Sequence, residues 1–253
     1  MDFRLKGKRA ILAGATKGIG RATAEVLAEE GCDIAFCARG QEGIDGTLSS
    51  LKRYGGRVIG NKIDVTDAAV YRNWVSTSAE ALGGCDIFVC FSSASGGPAS
   101  EERWKAAFEL DLLPTYRGID AAIPYLEKSD GGAIVAVATT VAIEPIFGPQ
   151  SYAPMKAAVI NYAAALAQSL APKRIRVNTI SPGPIFEEEG DWGRIKAARP
   201  ALYEATLAKI ALGRLGKSEE VGRAIAFLVS PVAGFITGAN LVIDGGITKR
   251  AQH

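Results

Sequence analysis

Tyr152 and Lys156, in the run S-Y-A-P-M-K that begins at Ser151, stand four residues apart. On a helix this spacing puts both side chains on one face, where a phenol and an ammonium reach each other or one shared ligand. Tyrosine is a poor acid or base near neutrality because its ordinary pKa is about 10, but a fixed cation beside it favours the phenolate. Lowering that value by about three units takes on the order of 4 kcal/mol, more than one exposed lysine supplies. A second positive charge or desolvation must help, and an oxidised nicotinamide ring is such a charge. Taken alone, the pair also reads as a core aromatic beside a solvated amine. The rest of the chain limits what else can do chemistry. Its only histidine is His253, the last residue. A Ser-His or Cys-His nucleophile pair, or a zinc site built on imidazole, would have to use a chain end. No metal is therefore expected, and internal proton transfer falls to Tyr, Lys, Asp, Glu or a hydroxyl. Cys32, Cys37, Cys85 and Cys90 show no C-x-x-C pairing and read as reduced core residues.

Around this pair, short apolar runs rich in Val, Ile and Ala alternate with longer segments of helical period. The alternation predicts an α/β fold, a single doubly wound Rossmann-type domain over residues 1–253 with a seven-stranded parallel sheet. Strands are expected near Arg9 to Ala13, Asp33 to Ala38, Arg57 to Ile63, Ile87 to Phe91, Ala133 to Ala138, Arg176 to Ile180 and Asn240 to Ile243. After the first comes A-G-A-T-K-G-I-G and then a helical run. Strand, glycine turn and helix in that order present free backbone N–H groups and a positive helix end to a pyrophosphate. The spacing G-x-x-x-G-x-G departs from the commoner G-x-G-x-x-G, and a plain connecting turn reads the same. The second strand ends C-A-R. Ala38 stands where an NAD site wants a carboxylate, and Arg39 follows it, with Lys17 in the glycine loop, so NADP is favoured over NAD. Asp64, after the third strand, is placed either beside an adenine amino group or as a helix cap. The fourth strand runs into S-S-A-S-G-G-P, small residues that suit a ligand lying against the backbone or a plain loop. Glu101 to Leu126 reads as a helix kinked at Pro114. Residues 184–212, with Phe186, Trp192, Ile195, Leu202 and Tyr203, read as a substrate flap that Ile143, Ile146 and Phe147 face. That composition points to a small to medium, mainly apolar substrate, and Glu187, Glu188 and Glu189 read as a solvated run. A net charge of +2 without a basic cluster excludes nucleic acid and anionic membrane as evident partners. No apolar run is long enough to span a bilayer and no signal core opens the chain, so a cytoplasmic protein is expected.

In family order and spacing, G-A-T-K-G-I-G, D-V after the third strand, Y-A-P-M-K, R-V-N-T-I-S-P-G-P, G-R-L-G-K-S-E-E-V, F-I-T-G-A and V-I-D-G-G resemble the short-chain dehydrogenase/reductase family over nearly the whole chain. The resemblance implies a catalytic hydroxyl at Thr139, an acid/base at Tyr152, and a Lys156 that binds the nicotinamide ribose while lowering the phenol pKa. It implies cofactor contacts from Gly14, Thr16, Lys17, Gly18, Ile19 and Gly20, from Arg39, Asp64 and Val65, and from Pro182, Gly183 and Ile185 along the nicotinamide pocket. The family's enoyl-reductase branch separates its Tyr and Lys by six residues, so the spacing here speaks for NADP-dependent interconversion of a ketone and a secondary alcohol. A 3-oxoacyl-thioester reductase, or a catalytically weakened NADP-binding regulatory protein on the same fold, is the alternative. The family's homotetramer is also expected, because the Ala-rich helix after Tyr152 is apolar on more of its circumference than one sheet contact covers. Four positions depart from the family. C-F-S-S-A-S-G-G replaces N-N-A-G, Thr139 replaces a serine, Glu187 replaces a hydroxyl, and the catalytic asparagine falls on Asp111. An ionised Asp111 only accepts hydrogen bonds. If it met Lys156 through a water, it would keep the lysine charged and offset part of the field that makes Tyr152 acidic.

Overall fold

The computed structural model describes residues 2–251. Nine strands occur among them: β1 (Arg9–Ala13), β2 (Asp33–Ala38), β3 (Val58–Lys62), β4 (Ile87–Cys90), β5 (Gly132–Val137), β6 (Ile175–Pro182), β7 (Ile185–Phe186), β8 (Gly216–Lys217) and β9 (Asn240–Ile243). Seven form one parallel sheet in the order β3-β2-β1-β4-β5-β6-β9, while β7 and β8 pair separately. The seven are those read from the sequence, with ends shifted by one or two residues. The two-residue strands are too short to leave a pattern.

Side chains alternate across the sheet, and both faces are covered. Leu12, Ile34, Phe36, Val89 and Val135 pack on one side with residues of α1 (Gly18–Glu29), α2 (Gln41–Leu51) and α9 (Ser218–Val229). Ile11, Ala35, Phe88 and Ile134 pack on the other with α3 (Ala68–Leu82), α5 (Leu113–Leu126) and α6 (Tyr152–Leu170). Two-sided burial explains why the strands read as unbroken apolar runs. All four cysteines are buried and unpaired, and desolvation pushes the Cys32 and Cys85 thiols up to about 12. No helix among the described residues is long and apolar enough to cross a membrane.

The expected kinked helix from Glu101 to Leu126 is instead three pieces. The helix α4 (Glu101–Ala107) runs into a π-helical turn at Phe108–Leu112, and α5 follows. Pro114 lies in the first turn of α5, where its missing N–H costs nothing, so the irregularity falls before it and not at it. The inserted residue of a π-turn shifts everything it carries, and it carries Asp111. Two further helices, α7 (Asp191–Ala198) and α8 (Pro200–Leu207), make up most of the flap.

The strand order reverses between β1 and β4. Ala13 pairs with Cys90, and Cys90 with Ala136, so the carboxyl ends of the central strands open at one edge. Ligands of doubly wound sheets bind at this crevice.

Candidate active site

The glycine loop fits a dinucleotide phosphate. Gly14 has φ +85° and sits 3.4 Å, measured from an ideal Cβ, from the backbone of Phe91 and Ser92. A Cβ on Gly20 would run into the Gly14 carbonyl oxygen and lie 3.1 Å from Ala15 Cα. The loop therefore closes on itself more tightly than any side chain allows. Behind it α1 begins without a side-chain cap, which leaves its first N–H groups for an anion. Thr16 and Ile19 are half-buried in this turn, and Lys17 is exposed. At the end of β2 no carboxylate follows, and Arg39 is exposed. Lys17 is the less available of the two cations, since Glu189 lies 3.4 Å from its ammonium. Asp64 is not the helix cap that was one of its two readings. Asp67 caps α3 by accepting from the amides of Ala69 and Val70. Asp64 accepts instead from the amide and hydroxyl of Thr66 at 3.0 and 2.8 Å, which holds its carboxyl below the usual range. Val65 beside it is buried. Pro182 ends β6, Gly183 donates its amide to Ile243, and Ile185 opens β7.

Three elements bring the chemistry together. Tyr152 is the first residue of α6, and Lys156 follows one turn later with its ammonium 5.9 Å from the phenol ring centre. Lys156 is only 2 % exposed and donates to the carbonyl of Val137 at 3.0 Å, with that of Ser92 at 3.5 Å. Val137 ends β5 and Ser92 lies two residues past β4, so the carboxyl edge of the sheet fixes the lysine. Thr139, two residues past β5, presents a buried hydroxyl near enough to Tyr152 to favour its phenolate. Asp111 is fully buried, and its Oδ1 lies 3.5 Å from the lysine ammonium. The water-mediated link considered from the sequence is thus replaced by a direct ion pair. Burial raises the Asp111 carboxyl above its ordinary value, and Lys156 pulls it back. Burial likewise raises the Tyr152 phenol, with the charge of Asp111 as the next cause; the Thr139 and Ser93 hydroxyls oppose both.

Over this cluster lies the flap. Asp191, at the start of α7, is close enough to add to the upward pressure on Tyr152. Next to it Trp192 packs against Phe147 and Tyr203 with ring centres 6.0 and 6.5 Å apart, and Tyr203 against Phe186 at 6.4 Å. Ile146 joins them on a small core of Ile210, Leu215 and Ile247. The predicted facing of the 143–147 segment and the flap holds for Ile146 and Phe147. The Glu187 to Glu189 run is less free than its reading as solvated surface, for Glu189 reaches Lys17.

Comparison with known proteins fits this geometry. A family model described as enoyl-(acyl carrier protein) reductase matches residues 14–248. An isoepoxydon dehydrogenase of Penicillium expansum is 34% identical over 252 residues, covering 98% of this chain and 97% of the relative. The chain belongs to the short-chain dehydrogenase/reductase family. A 2,5-dichloro-2,5-cyclohexadiene-1,4-diol dehydrogenase of Sphingobium indicum is 32% identical, covering 97% and 98% of the two chains. A 3-oxoacyl-(acyl carrier protein) reductase of Thermotoga maritima is 31% identical, covering 97% and 99%. Among solved structures, an apo short-chain oxidoreductase of Pseudomonas aeruginosa described as containing an atypical catalytic centre matches with a TM-score of 0.90 and 32% identity, over 98% of this chain and 99% of that one. As a member of this family the chain is an oxidoreductase acting on CH–OH groups.

Sequence reasoning singled out Thr139, Tyr152, Lys156 and Asp111, and the structure gathers all four. It missed Ser93. That serine lies in the loop after β4, close enough to both Tyr152 and Asp111 for its hydroxyl to favour their ionised forms. The one available signal was the replacement of the family's N-N-A-G by C-F-S-S, which puts a hydroxyl where the family has none.

Proposed function

We propose that this protein is an NADP-dependent oxidoreductase that interconverts a ketone and a secondary alcohol on a small to medium, mainly apolar substrate. The observation that carries the reading is the buried Lys156 ammonium 5.9 Å from the Tyr152 ring centre, one helical turn away, with the buried Thr139 hydroxyl close by. A protein that only bound nucleotide would need no ionisable pair there. The glycine loop, Asp64, Val65, Pro182, Gly183 and Ile185 are the residues that would hold the dinucleotide, with Lys156 on its nicotinamide ribose. Arg39, assisted by Lys17, would take the extra phosphate of NADP, since Ala38 leaves no carboxylate to repel it. The dinucleotide, when bound, supplies or accepts the hydride at the substrate carbon. Thr139 orients the substrate oxygen, and Tyr152 hands its proton to that oxygen in reduction and takes it back in oxidation.

One of the relatives is named for a cyclohexadienediol, another for isoepoxydon and a third for a 3-oxoacyl-(acyl carrier protein), which sets the substrate panel. NADPH consumption is measured with cyclic ketones, linear ketones and a 3-oxoacyl thioester. Turnover of the first class and a fall in kcat of about 10² to 10⁴ in Tyr152→Phe support the reading. No turnover with any of them, at unchanged NADPH affinity, would favour the regulatory alternative. The working form is proposed to be a homotetramer in the cytoplasm, where four buried, unpaired cysteines are at home.

A further inference from the structure

Asp111 takes no part in the proton transfer above, although it is the most deeply buried carboxylate among the described residues. The π-turn holds it in place. One carboxylate oxygen, Oδ2, accepts from the Ala94 amide at 3.3 Å. The other, Oδ1, has no hydrogen-bond donor and lies 3.5 Å from the Lys156 ammonium. Lys156 meanwhile points two of its three donors at Val137 and Ser92, and none reaches Oδ1 in hydrogen-bond geometry. The contact is therefore one of charge, in a place that water does not screen. An asparagine here would fill the same space and keep the Ala94 bond, but it would bring no charge.

Building on the oxidoreductase reading, we propose that Asp111 is a positioning residue that acts on Tyr152 through Lys156: its carboxylate cancels part of the ammonium's field and holds the phenol in its proton-donating form. Thr139 at the end of β5 and Ser93 after β4 are neutral hydroxyls that favour the phenolate, and Asp191 from α7 adds a weaker negative field than Asp111 does. Facing Asp111 are Lys156, the Ser93 hydroxyl and the Ala94 amide. Lys156 is thus the only cation in the cluster, and Asp111 is its closest counter-charge.

The sign follows directly. Ketone reduction needs a protonated Tyr152, and a raised phenol leaves it fully protonated at neutral pH. Alcohol oxidation needs the phenolate, whose population then rises tenfold for each pH unit toward alkaline conditions. The enzyme is built as a reductase near neutrality and oxidises only at high pH.

The test uses Asp111→Asn, with Tyr152→Phe and the double variant as blanks. Ultraviolet difference titration of the phenolate, on folded protein without cofactor or substrate, reads Tyr152 as the signal lost in the matching blank. Asp111→Asn should bring that ionisation to lower pH by about one unit, and the alkaline limb of alcohol oxidation should follow it. If Tyr152 ionises no earlier in Asp111→Asn than in the wild type, including the case where neither ionises before unfolding, the proposal is overturned. Should the asparagine variant fail to fold, Asp111→Ser is read in the same way. A shifted titration without turnover in either direction supports this role of Asp111 and sinks the proposed function instead.

Discussion

At the level of single residues, Arg39 carries the choice of cofactor. Lys17 shares its charge with Glu189, and a pair this exposed is worth little, so it neither binds the lysine firmly nor leaves it wholly free. Arg39 stands near Asp64, whose Oδ1 accepts both Thr66 bonds and whose carboxyl it helps to hold low. A charge-assisted bond to a phosphate is worth about 1.5 to 3 kcal/mol, or one to two decades in affinity. Arg39→Ala should weaken NADPH by that factor and leave NADH unchanged, as dissociation constants for both cofactors will show; an equal loss for the two contradicts the assignment. The residues that carry chemistry by type and spacing were readable before any fold was known. Tyr152 and Lys156 need only a helix to meet. Asp111 was readable as a misfit, but its direct contact with Lys156 was not, because that depends on the register of a π-turn. Ser93 was marked only by the departure of C-F-S-S from the family's N-N-A-G, since one serine among small residues has neither period nor partner in the sequence.

At the level of elements, β1, β2, β4 and β5 were legible for a simple reason: they are buried in the middle of the sheet, and each is an apolar run bounded by glycine or charge. The π-turn was hidden because one inserted residue leaves the apolar spacing of Phe108, Leu110, Leu112 and Leu113 looking continuous, and the nearby proline offered a plainer explanation. The tight glycine loop gives a test at this level. Gly20 lies inside α1, where alanine is intrinsically the better helix former by roughly 1 kcal/mol. Its added methyl would nevertheless press on the Gly14 carbonyl and on Ala15 and Phe91. Overpacking of this kind costs about 1 to 3 kcal/mol, so Gly20→Ala should lower stability on balance and weaken both dinucleotides alike by reshaping the phosphate turn. Gly46, inside α2 with open space around it, is the internal control. Gly46→Ala should stabilise by about 0.5 to 1 kcal/mol. Denaturant midpoints of the two variants should therefore move in opposite directions, and a shared direction would mean that helix propensity alone governs both.

At the level of the whole molecule, the surface leaves two apolar regions on different sides of the sheet. The first lies on α5 and α6. Over its 19 residues α6 has a single charged side chain, Lys156, and that one is turned inward. Its Tyr162 meets Tyr116 of α5 edge to face, with ring centres 6.1 Å apart, and Tyr116, Trp104 and Phe108 all remain exposed. The second region lies beyond the sheet edge formed by β9, where Phe235 is fully exposed and Val232 largely so. A patch that pairs with its own copy about a two-fold axis closes a dimer, and two such patches on separate surfaces close a tetramer. Light scattering should accordingly give four times the 26.5 kDa chain mass. Phe235→Asp places an uncompensated charge in the second contact only, so it should leave dimers held through α5 and α6, with the catalytic cluster around Lys156 untouched. Retention of the full tetramer in that variant would remove Phe235 from the interface, and a wild-type monomer at micromolar concentration would sink the assembly as a whole.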